Sequence, residues 1–341
     1  MQETLFEQII AVENLLAAWR EFLRGKRAKP DVQEFSLRLM DNILSLHADL
    51  CNGTYRHGPY RHFRIADPKP RDIHKATVRD RLLHHAIYRV LYPFFDCTFI
   101  ADSYSCRLGK GTHRAMNRFR TFACSASKNH TRTCWVLKCD VKKFFASVDH
   151  QTLLNILRAR LPDTRTVALL ETIIRSFSSC HPAAPPLHLP LGEGERHVGL
   201  PLGNLTSQLL VNIYMNEFDQ FVKHMLRAEY YIRYADDFVV LSHNKQWLEI
   251  ILPEIETFLW NKLKLQLHPD KVFIKTFASG VDFLGWVHFP NHRVLRAATK
   301  RRMFKRIIAH TTPEALASYS GLLRHGNTFG LQRRINEVLY L

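Results

Sequence analysis

No Cys-x-x-Cys occurs anywhere in the 341 residues. The seven cysteines (51, 97, 106, 124, 134, 139 and 180) are odd in number and scattered. They argue against a structural zinc site and read as reduced thiols in a cytoplasmic compartment. No uninterrupted apolar run is long enough to cross a bilayer, so no membrane span is predicted. Met1-Gln2-Glu3-Thr4 shows no basic stretch leading into an apolar one, so no signal peptide is expected. None of the 19 histidines falls in the zinc-protease helix pattern, and no repeat or low-complexity tract is present. Acids are scarce beside bases, 31 against 48, for a formal net charge of +17. That excess points to a polyanionic partner, nucleic acid first and an anionic membrane surface second.

What is present is a globular chain, 46% hydrophobic and long enough for two or three cooperating subdomains. Residues 5–50 carry apolar side chains at helical spacing: Phe6, Ile9, Ile10, Leu15, Leu16 and Trp19, then a basic break at Gly25. A second helix is expected over 33–50, its apolar positions including Phe35, Leu37, Leu39, Met40, Ile43, Leu44 and Leu50. Residues 54–73 read as extended, with Tyr60–Ile65 alternating and Pro68-Lys69-Pro70-Arg71 breaking any helix. A helix over 75–95 holds Asp80-Arg81. Ser103–His113 contains Arg107 and Lys110 and reads as a basic turn against a phosphate backbone, because its Gly-Lys-Gly-Thr lacks the spacing of a Walker loop. Residues 181–201 are rich in proline and glycine and read as loop. Gly203 then supplies a hinge and Asn204 an N-cap for a long helix with Ser207 and Gln208 in its first turn. Phe218, Phe221 and Met225 extend that helix's apolar side. A further helix over 246–263 is read from Trp247, Ile250, Ile251, Ile255 and Phe258.

Three acids carry the chemistry. Tyr231–Leu241 reads as strand, tight turn and strand, with Asp236-Asp237 at the tip. Side-by-side buried carboxylates need a cation, and a divalent metal bound through oxygen is the simplest. A solvated turn is the competing reading of that stretch. Asp140 ends the apolar strand Cys134–Asp140, whereas Asp149 precedes a helical run and suits an N-cap. Antiparallel strands can bring Asp140 to Asp236-Asp237, and three carboxylates around two Mg²⁺ form a clamp for in-line attack on an α-phosphate.

The order of these stretches resembles a reverse transcriptase. Asp140–Phe145 is similar to the first catalytic motif, Gly199–Gln208 to the second, Tyr234–Asp237 to the third, Lys271 to the fourth, and Phe283-Leu284-Gly285-Trp286 to the primer grip. Pro68–Arg71, Asp80-Arg81 and Ser103–Gly111 resemble finger motifs of group II intron-type enzymes. The resemblance implies an α+β right-hand polymerase fold: an N-terminal helical region over 1–53, fingers over 54–135, palm over 136–290 (with 156–198 partly an insertion loop) and thumb over 291–341. It implies two Mg²⁺ ions, with Mn²⁺ able to substitute, held by Asp140, Asp236, Asp237 and the Val141 carbonyl. Lys271 would neutralise the leaving pyrophosphate. Lys69 and Arg71 would hold the triphosphate, and Phe145 would gate against a 2′-hydroxyl. Leu202, Gly203, Ser207 and Gln208 would lie at the nascent base pair.

The second motif, Gly203-Asn204-Leu205-Thr206-Ser207-Gln208, together with the short chain, resembles the reverse transcriptases of diversity-generating retroelements. Those enzymes copy a template RNA into cDNA from dNTPs with errors at adenines, beside a small basic, multimeric accessory protein. An antiviral-defence or retron reverse transcriptase stays open, as does a non-catalytic RNA-binding protein of polymerase-like fold. Arg293, Lys300, Arg301, Arg302 and Lys305 fall in a stretch, 293–306, holding seven cations and no acid, and would grip the nucleic-acid backbone. No RNase H-like acid cluster or Cys-rich endonuclease segment is seen, so neither template degradation nor DNA cleavage is expected.

Overall fold

Alternating and continuous apolar runs sort the described residues into nine strands and a larger helical share, an α+β mixture. The computed structural model describes residues 3–65, 70–179, 197–309 and 312–339. Two compact units emerge, each assembled from three separate segments: 1–101, 141–221 and 256–266 in the first; 102–140, 222–255 and 267–341 in the second.

The first unit is mostly helical. Helix Val78–Asp96 packs on helices Val12–Phe22 and Leu205–Gln220. Leu15, Trp19, Phe22, Leu82 and Leu83 are buried there, the outcome expected of amphipathic helices whose apolar stripes need cover. Two exposed strands, β1 (Arg61–Ile65) and β2 (Arg71–Lys75), pair antiparallel, Arg61 opposite Lys75. The single helix expected over 33–50 is two, Pro30–Leu37 and Leu39–Cys51, broken at Arg38 with φ −123° and ψ 44°. That break helps leave Leu37, Met40 and Leu44 exposed, against the expectation of core packing.

The second unit is built on a four-stranded antiparallel sheet in the order β4-β5-β3-β6: β3 Trp135–Asp140, β4 Tyr230–Tyr234, β5 Asp237–Ser242 and β6 Phe273–Thr276. Alternation along the strands places Val136, Ile232, Val239 and Leu241 in one buried cluster with Phe119, Phe122 and Ala123 of helix Thr112–Ala126. A smaller sheet follows, β7 (Val281–Phe283), β8 (Trp286–His288) and β9 (Arg293–Leu295). Trp286 is fully buried among Met116, Leu295, Met303, Ile307 and Leu323, and so anchors the helices Ala297–Ala309 and Pro313–Leu323. Two apolar expectations fail here: Met225 and Ile250 are 73% and 62% exposed. Met225 ends a π-helical turn, Phe221–Met225, that follows helix Leu205–Gln220, and Ile250 lies on helix Lys245–Leu263.

Gly326 packs against that tryptophan so closely that a Cβ would fall 2.1 Å from Trp286 Cζ3. Gly326→Ala should therefore lose about 1–3 kcal/mol of stability through overpacking, read by urea denaturation; an unchanged midpoint would contradict the packing described.

Candidate active site

Strand register assembles the site, and all of it lies in the second unit. Asp140 sits directly opposite Asp237, and Asp237 directly opposite Tyr234. Facing pairs in antiparallel strands hold their Cβ atoms about 5 Å apart, on the same sheet face. On the other side of β3, Lys138 faces Phe273, where that pairing ends, and Lys271 comes from the 3₁₀ turn Pro269–Lys271 just before β6. Its Nζ donates to Asp140 Oδ1 at 2.8 Å. The sheet thus carries a row across three strands, Tyr234, Asp237 and Asp140, which Lys271 joins at Asp140 through its side chain.

Asp236 comes in through the turn. Only Ala235 and Asp236 connect β4 to β5, and Ala235 takes φ 56°. Two-residue hairpin loops favour such a left-handed residue, at a cost of about 1–2 kcal/mol for any residue but glycine. Arg233, fully buried, helps hold the turn: Nη1 donates to the Ala235 carbonyl at 3.2 Å and Nη2 to Ser103 Oγ at 3.0 Å. Its backbone also pairs with the 102–104 segment, N–H to Asp102 O and C=O from Tyr104 N. The expected basic turn at Ser103–Gly111 is therefore stitched to the edge of β4. Within it, Arg107 donates to Ser103 O and Lys110 lies over the Tyr104 ring.

Lys138 completes the electrostatics. Its ammonium lies 3.1 Å from Asp237 Oδ1, an ion pair whose geometry makes no hydrogen bond, so that oxygen accepts none. Burial pushes the Asp237 carboxyl up to about 7, opposed by Lys138 and reinforced by the negative charges of Asp140 and Asp236. Neither Lys138 nor Arg233 figures in the motif reading, although Lys138 is signalled by a charge inside an apolar strand, two residues before Asp140 on the same face.

Among the described residues, no three His, Cys, Asp or Glu side chains close into a ready metal cage. The donors nonetheless suit a hard divalent cation. They are carboxylates, one buried oxygen lacks a hydrogen bond, and two ammonium groups stand where positive charge is wanted. Such a site takes further oxygen ligands from substrate phosphates.

Of the remaining expected residues, Arg71, Val141, Phe145, Leu202, Gly203, Ser207 and Gln208 lie in the first unit, and the basic stretch 293–306 lies in the second. Phe145 is half-buried on the short helix Phe144–Ser147, and its carbonyl accepts from Leu200 N at 2.7 Å. The Leu202 carbonyl accepts from His74 N at 3.2 Å, so the second motif is tied to β2, which begins at the exposed Arg71. Gly203, φ 105°, lies where a Cβ would meet Ile73 Cγ2 at 3.0 Å. Asn204 occupies the expected N-cap position but does not cap: its Nδ2 donates to His74 O at 2.9 Å instead. Ser207 is buried one turn on and Gln208 half-buried. Val141 is buried, and Lys69 lies outside the described residues. Asp149 does cap its helix, accepting from Thr152 N at 2.8 Å. Of the basic stretch, Arg301 and Lys305 are exposed, Lys300 and Arg302 half-buried, and Arg293 turns inward to donate to the His325 carbonyl.

Comparison with known proteins shows the family. A family described as reverse transcriptase (RNA-dependent DNA polymerase) matches residues 66–288. Protein YkfC of Escherichia coli K12 is 27% identical over 298 residues, covering 77% of this chain and 74% of that protein. The group II intron-encoded protein LtrA of Lactococcus lactis subsp. cremoris is 23% identical over 331 residues, covering 78% of this chain and 52% of the relative. The chain thus spans about half the length of that relative. Apo telomerase from Candida tropicalis, truncated from its C-terminal domain, superposes with TM-score 0.50 at 12% identity, covering 75% of this chain and 60% of the other. That likeness concerns fold alone, and the fold is the α+β right-hand polymerase architecture expected from the motifs.

The raised Asp237 pKa sets a pH prediction. Below about 7 its carboxyl holds a proton that a metal must displace. Mg²⁺ should therefore raise Tm more at pH 8 than at pH 5.5. Lys138→Met removes the charge that opposes the shift, so the pH needed for metal stabilisation should move upward. Equal Mg²⁺ effects at both pH values would contradict this electrostatic picture.

Proposed function

We propose that this chain, which belongs to the reverse transcriptase (RNA-dependent DNA polymerase) family, synthesises cDNA on an RNA template with the Asp140, Asp236 and Asp237 carboxylates as its reactive centre. The observation carrying this reading is the Asp237–Asp140–Lys271 row across the sheet. It gathers residues distant in sequence at one edge, beside a turn that Arg233 holds.

Divalent metal, Mg²⁺ in the first instance, would be held by Asp140, Asp236 and Asp237, with the Val141 carbonyl next along the chain. When bound, it would activate a 3′-hydroxyl and stabilise the charge of the departing pyrophosphate. The chain's own residues prepare for that. Lys138 and Lys271 hold Asp237 and Asp140 in ion pairs that orient them. With metal bound to Asp140, Lys271 would be free to meet a leaving phosphate, the role its motif implies. Phe145 suits a gate: a rigid ring discriminates by shape and needs no charge. Lys69 and Arg71 would hold the triphosphate, with Leu202, Gly203, Ser207 and Gln208 around the base pair. We assign 54–135 to fingers, 136–290 to palm and 291–341 to thumb, with Arg107, Lys110 and the cations of 293–306 along the template–primer backbone.

The finer reading is a diversity-generating retroelement enzyme, error-prone at template adenines and working with a small basic, multimeric partner. The Gly203–Gln208 motif supports it, and no helix of the described residues is long and apolar enough to cross a membrane. Copying a defined RNA and sequencing the cDNA tests it. Errors should concentrate opposite adenine; errors spread evenly over the four template bases would favour a defence or retron role.

For the centre itself, Asp236→Asn and Asp237→Asn should each reduce single-nucleotide incorporation below detection while RNA binding stays intact or tightens, since a repelling carboxylate is lost. Undiminished synthesis in either variant refutes the site. Arg233→Lys, which keeps charge and loses the planar fork, should lower both Tm and incorporation.

A further inference from the structure

At the other end of β8 from its turn with β7, the chain encloses a cavity of about 460 Å³. Arg120, Arg293 and Arg324 line it together with His292, Phe289 and Asn327, and no acidic side chain does so. Every one of these residues belongs to the second unit.

Three guanidiniums around one cavity repel each other unless an anion joins them. Among the described residues Arg293 finds neutral partners, the His325 carbonyl, Asn117 Oδ1 and the Trp286 ring. Burial, and then the nearby Arg120 charge, hold the Arg293 guanidinium below its ordinary range, the mark of crowded like charge. Arg120 and Arg324 are exposed at the cavity and make no ion pair among the described residues. Beside them the Phe289 and His292 rings stack at 4.8 Å with planes 13° apart. Guanidiniums offer forked donors to phosphate oxygens, and stacked rings offer a flat face to a base.

We propose that this cavity is a second nucleotide site, taking the phosphate of a nucleoside monophosphate unit on Arg120, Arg293 and Arg324 and its base against the Phe289–His292 stack. The unit belongs either to a single strand of RNA or to a free nucleotide. The volume suits one nucleotide; the site rests on the proposed nucleic-acid role of Arg293, which it shares, and neither source involves the carboxylate row.

The test is binding in EDTA, so that it stands apart from the polymerase reading. A short fluorescent oligouridylate is titrated by polarisation against the full chain, and AMP alone by calorimetry. In Arg120→Gln/Arg324→Gln, the slope of log affinity against log salt for the RNA should become shallower by roughly 1.4, at about 0.7 per lost phosphate contact. His292→Ala should weaken the bound probe on the order of tenfold. Loss confined to RNA assigns the cavity to a strand; AMP binding that both variants abolish assigns it to a free nucleotide. Arg24→Gln/Arg27→Gln, which removes two other exposed arginines, serves as control. An equal loss in that control, or no change in the cavity variants with either probe, overturns the proposal.

Discussion

Like charges gathered on one sheet row are the constraint on which the rest of this structure turns. Burial raises the proton affinity of Asp237, and the neighbouring Asp140 and Asp236 charges raise it further. Carboxylates so placed persist only with positive charge close by. Lys138 and Lys271 supply it, each to a different acid. Both contacts are of a kind a divalent cation would replace.

The topology follows from the same requirement. Asp140 reaches Asp237 because β3 lies between β5 and β6, strands distant from it in sequence. A one-residue slip of β3 would send Asp140 to the opposite face and bring Cys139 into the row. The buried run Val136–Cys139 against Phe238–Leu241 resists such a slip, since both faces of the pairing are covered. The turn at Ala235 is the strained corner of this arrangement. Buried Arg233 secures it through the Ala235 carbonyl and the 102–104 segment, which places the finger-like basic turn beside the third motif.

Much of this was legible in the residues, for identifiable reasons. The acid at the end of an apolar strand, the acid pair between two β-prone runs and the cap at Asp149 are each local patterns with one dominant physical outcome. Positions such as Leu37, Met40, Leu44, Met225 and Ile250 were not legible in the same way. Helical periodicity tells which side chains share a face, but not how far the next layer extends over it. Asn204 shows the same limit: its position before a helix is a local fact, while its bond to His74 depends on a strand 130 residues away. Lys138 and Arg233 went unread because buried cations inside strands take their meaning from partners that only pairing supplies. The cavity beside β8 is further still from any motif, since Arg120, Arg293 and Arg324 meet only through tertiary packing.

The central claim is that these carboxylates hold a pair of divalent ions where DNA is extended. Electron paramagnetic resonance with Mn²⁺, on the chain bound to a chain-terminated primer, an RNA template and the next dNTP, addresses it directly. A spin-coupled pair of ions, about 4 Å apart as in two-metal sites generally, should appear and vanish in Asp140→Asn. A single uncoupled ion in the wild-type complex, or a pair that survives Asp140→Asn, would contradict the account.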